Sequence, residues 1–225
     1  ALNHPFTRAY TLFHTGNLYM WRGDIALAKE QAEAMLQIAE EHGFQIWESL
    51  ATMLIGAAQG ALGQPEEGLR LLEQGFALYQ GHTSPPVFFP LLTGMRAMAF
   101  AQAGKPQQGL ELIDSLMQEM GEEHMLREQT PLFLMKGELL LAISADNAPA
   151  ATGLFRAVLE NVQNIGGKYL ALQAATRLYK LEMGGGKADE SGRILAELYD
   201  SFSEGLETAD LQEAQKVLDQ WRGVE

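Results

Sequence analysis

Three observations predict an all-α fold, a right-handed α-solenoid of about five helix hairpins with a C-terminal capping helix. Gly23, Gly63 and Gly104 stand 40 and 41 residues apart, each between two helix-like stretches, and the same step reaches Asp146-Asn147 and then Gly186. A fixed period of this size is the mark of a stacked repeat. Between these breakers the apolar residues recur at steps of three and four, which builds one buried stripe per helix. No stretch of strand-like alternation competes.

The elements follow in order. The first hairpin is read as helices over 5–22 and 24–42, with Gly23 as the turn. In the second, Ile46, Trp47, Leu50, Met53, Leu54 and Ile55 make the stripe of a helix over 44–62. Gly63-Gln64-Pro65-Glu66-Glu67 then turns the chain, with Pro65 at the first helical position and acids in the first turn, both favourable at a helix N-terminus. The partner helix, 65–80, carries Leu69, Leu71, Leu72, Phe76 and Leu78 and ends at Gly81. Gly104-Lys105-Pro106 repeats this turn 41 residues later, between helices over 85–103 and 106–120. The fourth and fifth hairpins are read as 126–143/149–164 and 168–183/188–203. Asp210 to Trp221 carries Leu211, Ala214, Val217, Leu218 and Trp221 at helical spacing and is expected to cap the stack. Asp210 and Glu213 are spaced as a capping box, with Thr208 as the other candidate cap. The whole is read as one repeat domain, 1–225, with units 1–43, 44–84, 85–125, 126–166 and 167–206 and a capping helix over 208–222.

Small residues mark the helix crossings. Gly16, Gly56 and Ala97 stand seven residues before the turns, and Ala28, Gly68 and Gly109 five after them. This is the pairing a tetratricopeptide hairpin needs for its backbones to approach. Gly137 and Ala151 are 14 apart instead of 12, so the fourth turn carries about two extra residues, and Tyr179 and Ser191 predict an adjusted crossing in the fifth.

Composition excludes several classes of function. Sixteen Lys and Arg against 29 Asp and Glu leave a formal charge of −13, which repels phosphate backbones and anionic lipid. Neither nucleic acid nor a membrane surface is expected as a partner. With no cysteine there is no disulfide framework, thiolate metal site or cysteine nucleophile, as suits a reducing cytoplasm. The densest apolar run, Leu139 to Ile143, is too short to span a bilayer. The start, Ala1-Leu2-Asn3-His4-Pro5, has no basic or apolar leader region, and a chain that begins without Met reads as a piece cut from a longer one.

No motif supplies chemistry, so no catalytic residue, cofactor or metal is expected. Gly184-Gly185-Gly186-Lys187 lacks the first glycine and the hydroxyl residue of a phosphate loop, with Leu181 and Ala188 in those places, and follows a helix where a strand is needed. His42, His82 and His124 recur at 40 and 42 residues, one per repeat at helix ends, which suits bonding to helix carbonyls. His4 and His14 stand ten residues apart. Arg22-Gly23-Asp24 is a repeat turn before it is an adhesion tripeptide. Glu40-Glu41, Glu66-Glu67 and Glu122-Glu123 read as solvated outer faces.

The inner face of the first helices is the candidate site. Its register gives Tyr10, Phe13, Asn17, Met20, Met53, Leu91, Met98, Leu134, Glu138, Gln173, Thr176 and Lys180. The first three repeats therefore present apolar, Met-rich groups and the last two polar ones, and flexible thioethers suit adaptable peptide grooves. Burial of these residues within the stack is the competing reading.

His4-Pro5-Phe6, Gly137-Glu138-Leu139-Leu140-Leu141 and the tail from Phe202 to Ala214 carry a resemblance that spans nearly the whole chain. It resembles the tetratricopeptide-like C-terminal region of bacterial multidomain signalling proteins, in which a class III adenylate/guanylate cyclase is joined to a signal-transduction ATPase and then to helical repeats. Leu206 and Glu207 stand where that family commonly has an aromatic residue and Asp. The resemblance implies that catalytic domains lie upstream and that this region is a non-catalytic interaction module. Its groove is expected to bind a peptide, a partner protein or its own upstream ATPase, with a homo-oligomer as a further option. The alternative is a small-molecule sensor whose superhelix encloses a ligand and controls the upstream ATPase or cyclase.

Overall fold

A computed structural model describes residues 4–80, 88–120, 126–183 and 188–223, apart from the side chains of 126–128. Gly81, His82, His124, the Glu122-Glu123 pair and the Gly184–Lys187 loop lie outside the described residues. Eleven α-helices run in order among those described: α1 (Pro5–Arg22), α2 (Ile25–His42), α3 (Gln45–Ala61), α4 (Pro65–Gln80), α5 (Phe89–Gln102), α6 (Pro106–Met120), α7 (Leu126–Ile143), α8 (Ala148–Ile165), α9 (Lys168–Glu182), α10 (Ala188–Asp200) and α11 (Ala209–Arg222). They make two compact units, Ala1–Leu112 and Ile113–Glu225.

The turns form as their residues dictate. Gly23 and Gly63 take φ of 82° and 90°, a left-handed conformation that a side chain disfavours. The Gly23 N–H donates to the Met20 carbonyl and the Asp24 N–H to that of Tyr19, closing α1. In the fourth turn the extra residues coil into a 3-10 turn, Ala145–Asn147. There the Asp146 N–H donates to the Ser144 hydroxyl (3.1 Å), and Asn147 Nδ2 donates to the Leu140 carbonyl (2.9 Å).

In the first unit, successive hairpins pack around Phe13, Met35, Trp47, Leu50, Met53, Leu72 and Phe76, all buried. Gly56 and Gly68 fix the α3/α4 crossing: a Cβ on either would stand 2.6 Å from the other's carbonyl oxygen. In the second unit Leu134, Phe155, Val158 and Leu178 form one cluster. Leu172, Leu195, Leu211, Val217 and Leu218 form another, where α11 lies against α9 and α10.

The cap forms differently from the predicted box. Thr208 is the N-cap residue of α11 but makes no side-chain cap bond. Asp210 instead accepts hydrogen bonds from Tyr169 and Gln173 of α9, and Glu213 pairs with Lys180. The carboxylates serve the joint between helices because α9 offers three donors across it.

Counting from the small crossing residue of each first helix (Gly16, Gly56, Ala97, Gly137, Tyr179) places every residue on a common wheel. The positions five before it are Ala51, Leu92, Leu132 and Ala174 in the second to fifth hairpins, all buried. Two after it, Ala58, Ala99 and Leu139 are buried as well. In three of these hairpins the first helix packs on the second helix of the preceding hairpin: α3 on α2, α5 on α4 and α9 on α8.

Candidate interaction surface

With about 100° per residue, the line two residues before the crossing residue lies nearly opposite the helix's own partner. It carries His14, Leu54, Met95, Met135 and Arg177. The lines six before and one after lie side by side on one side of it, about 40° and 60° away: Tyr10, Leu50, Leu91, Pro131 and Gln173 on one, Asn17, Ala57, Met98, Glu138 and Lys180 on the other. The line three before turns toward the hairpin interior and holds Phe13, Met53, Gly94, Leu134 and Thr176, all buried.

The twelve expected groove residues therefore divide. Tyr10 and Lys180 are exposed, and Leu91, Met98, Glu138 and Gln173 are half-buried on the outward lines. Phe13, Met53 and Leu134 are core residues with at most 7% exposure. Thr176 is buried and its hydroxyl donates to the Leu172 carbonyl. Asn17 is buried too, its side-chain amide donating to the Phe13 carbonyl at 2.8 Å. Met20 is half-buried near the end of α1. Met95, Met135, Arg177 and His14 were missed, although counting from the crossing residue finds them.

In the first unit the outward lines meet an aromatic cluster. Phe6 stands edge-on to Phe44 and Trp47 (5.4 and 5.3 Å between centroids), and Tyr10 is perpendicular to Trp47 at 6.0 Å. His14 lies 4.4 Å from the Tyr10 ring and 6.0 Å from Phe88. Phe6 and Tyr10 are 43% and 50% exposed, so the cluster reaches the surface. His14 Nε2 and Trp47 Nε1 are buried within it with no hydrogen-bond partner among the described residues.

The second unit answers with a polar ladder. Arg177 of α9 pairs with Glu138 of α7, Gln173 and Tyr169 donate to Asp210 of α11, and Lys180 pairs with Glu213. Burial, followed by the Asp210 carboxylate, pushes the Tyr169 phenol far above its usual range. An open cavity of about 790 Å³ lies at the α9/α11 end of the ladder, lined by Lys180, Met183, Asp210, Glu213, Lys216 and neighbours.

Other candidates take structural places. Arg22 pairs with Asp24 across the Gly23 turn at 3.0 Å. His42 stacks on Phe44. Among the described residues no group of three or more His, Asp or Glu is placed to hold a metal ion, and no helix is long and apolar enough to cross a membrane.

Hairpin, crossing residue and stacked second helix define a TPR-like helical-repeat solenoid. Solved structures agree. The chain is similar to crystal structures of nearly identical TPR-like repeats from a protein of Podosopora anserina assigned as a kinesin light chain. One, a single-substitution variant of those repeats, aligns with a TM-score of 0.55 at 19% identity over 89% of this chain and 96% of that one. The other gives 0.53 at 18% identity over 98% and 99%. No protein-family model matches the chain, and no curated protein matches it.

Proposed function

We propose that this chain is a non-catalytic protein-interaction module that captures a peptide or partner protein on the outward lines of its first helices. The observation that carries the reading is the surface-reaching aromatic and methionine face of the first unit: Phe6, Tyr10, Leu91, Met95 and Met98 all lie at least partly open. Aromatic anchors carry a large share of the energy at protein interfaces. In line with the resemblance noted above, the module is the partner-binding end of a bacterial signalling protein, and an upstream ATPase is one occupant of this face. The test is a displayed-peptide selection against the chain, followed by affinity measurement on Tyr10→Ala and Met98→Ala. A loss of about 2 kcal/mol, roughly 30-fold, at Tyr10 is expected of an anchor. Binders that ignore both substitutions would reject the face.

The cavity beside Lys180 and Lys216 favours a second reading, a small-molecule sensor. Its volume falls in the range of ligand sites, about 300 to 1,000 Å³. A metabolite screen by thermal shift separates the two readings, since a ligand at 100 times its dissociation constant adds about 2.7 kcal/mol.

A further inference from the structure

The repeat supplies an internal standard for one more site. With the small crossing residues matched, Gly68 to Ala151 and Ala97 to Tyr179, three aromatic positions of the α4/α5 joint carry smaller side chains in the α8/α9 joint. Phe76, Tyr79 and Phe89 correspond to Leu159, Val162 and Ala171. In the first unit the rings occupy the joint themselves: Phe76 and Tyr79 are each 6% exposed, and Phe89 packs on Phe76 with 5.8 Å between ring centroids. In the second unit the same three positions line a cavity of about 500 Å³, with Ile194 and Leu198 of α10 as further apolar wall. That volume lies in the range of small-ligand sites, roughly 300 to 1,000 Å³.

The apolar slot has a charged edge. Lys168, the first residue of α9, and Glu197 of α10 both line the cavity and both are exposed. Lys168 Nζ donates to the Ser201 carbonyl at 3.5 Å, and neither Lys168 nor Glu197 has an ion-pair partner among the described residues. Gly166 and Gly167, also in the lining, bring no side chain to it. One ammonium and one carboxylate beside a slot missing a ring complement a molecule that carries a ring and both opposite charges.

We propose that this cavity binds a free aromatic α-amino acid, its ring in the place that Phe89 fills in α5, its carboxylate on Lys168 and its ammonium on Glu197. Burial of the ring against Leu159, Val162 and Ala171 supplies affinity, and the two charge-assisted contacts fix orientation and ligand class. The site shares no residue with the aromatic face of the first unit or with the α9/α11 cavity, so it stands or falls independently of both.

The probe is L-phenylalanine, titrated into the full chain by calorimetry beside alanine, phenylacetate and phenethylamine. Saturable binding of phenylalanine is expected, about tenfold weaker for phenylacetate and for phenethylamine, each of which lacks one charge, and undetectable for alanine, which lacks the ring. Ala171→Phe puts a ring back into the slot and should abolish binding, with the helical signal measured alongside. Lys168→Gln and Glu197→Gln, at exposed positions that leave the packing alone, should each weaken binding about tenfold. Lys216→Ala in the α9/α11 cavity and Tyr10→Ala should leave it unchanged. Absence of phenylalanine binding, equal binding of any of the three comparison compounds, or full binding to a folded Ala171→Phe would overturn the proposal. So would full binding to both glutamine variants, or loss of binding in Lys216→Ala, which would move the ligand to the other cavity.

Discussion

At Gly56 the crossing tolerates no side chain. An added Cβ meets the Gly68 carbonyl oxygen at 2.6 Å and the Leu72 nitrogen at 2.8 Å, and backbone cannot swing aside. Gly56→Ala should therefore destabilise by about 1–3 kcal/mol through overpacking, despite the gain of about 0.8–1.0 kcal/mol in helix propensity. Gly153, exposed within α8, is the control: among the described residues nothing lies within 4 Å of an added Cβ. Gly153→Ala should raise the urea midpoint by the propensity gain alone. Phe13, almost fully buried, should behave as a core residue, with Phe13→Ala costing about 3–5 kcal/mol. Three tyrosines make a pH prediction. Burial raises Tyr79, Tyr179 and, with Asp210, most strongly Tyr169 above the ordinary 10.0. The folded phenols hold their protons more tightly than the unfolded chain does, so their stabilisation is complete below about pH 10 and falls as pH rises beyond it. Melting temperature should drop as pH rises from about 10 to about 11.5, and less steeply in Tyr169→Phe.

At the scale of elements, α11 behaves as a lid on the second unit. Leu211, Ala214, Val217 and Leu218 are buried against α9 and α10, and a Cβ on Gly192 would strike the Trp221 ring at 2.6 Å. Ending the chain at 208 should expose Leu172 and Leu195, detected as binding of a hydrophobic dye and a lower melting temperature. Leu218→Ala should cost about 2–5 kcal/mol while leaving the helical signal at low temperature unchanged. The predicted capping box failed at this element. Its spacing was correct, but Asp210 and Glu213 had stronger partners in Tyr169, Gln173 and Lys180, which no local pattern around residue 210 reveals.

At the scale of the molecule, the two units offer different chemistry on corresponding lines. Tyr10, Leu91 and Gln173 share one register, yet an aromatic cluster surrounds the first and a carboxylate bonds the last. The polar ladder is already paired within itself, so its side chains add less to capture than an apolar anchor does. A binder selected on the whole chain should therefore lose more affinity from Tyr10→Ala than from Glu138→Ala, and calorimetry on both variants checks this.

The repeat period, the turns and the helix identities were legible in the sequence because each is local: Gly63 and Gly104 take φ of 90° and 73° just past a helix end, with Pro65 and Pro106 two residues on to start the next helix, and a 3.6-residue stripe shows its own face. The crossing residues were legible too, since Gly56 and Gly68 recur at fixed distance from a turn. Which of Phe13, Asn17 and Tyr10 would be surface was decided only by tertiary packing. A helix in a stack touches its own partner, the preceding second helix and the next first helix, so most of its circumference is buried. The sequence marks an apolar stripe without saying where that burial ends. In α1 it ends between Phe13 and Tyr10, a step of about 60° around the helix, and that step separates a core residue from an exposed one.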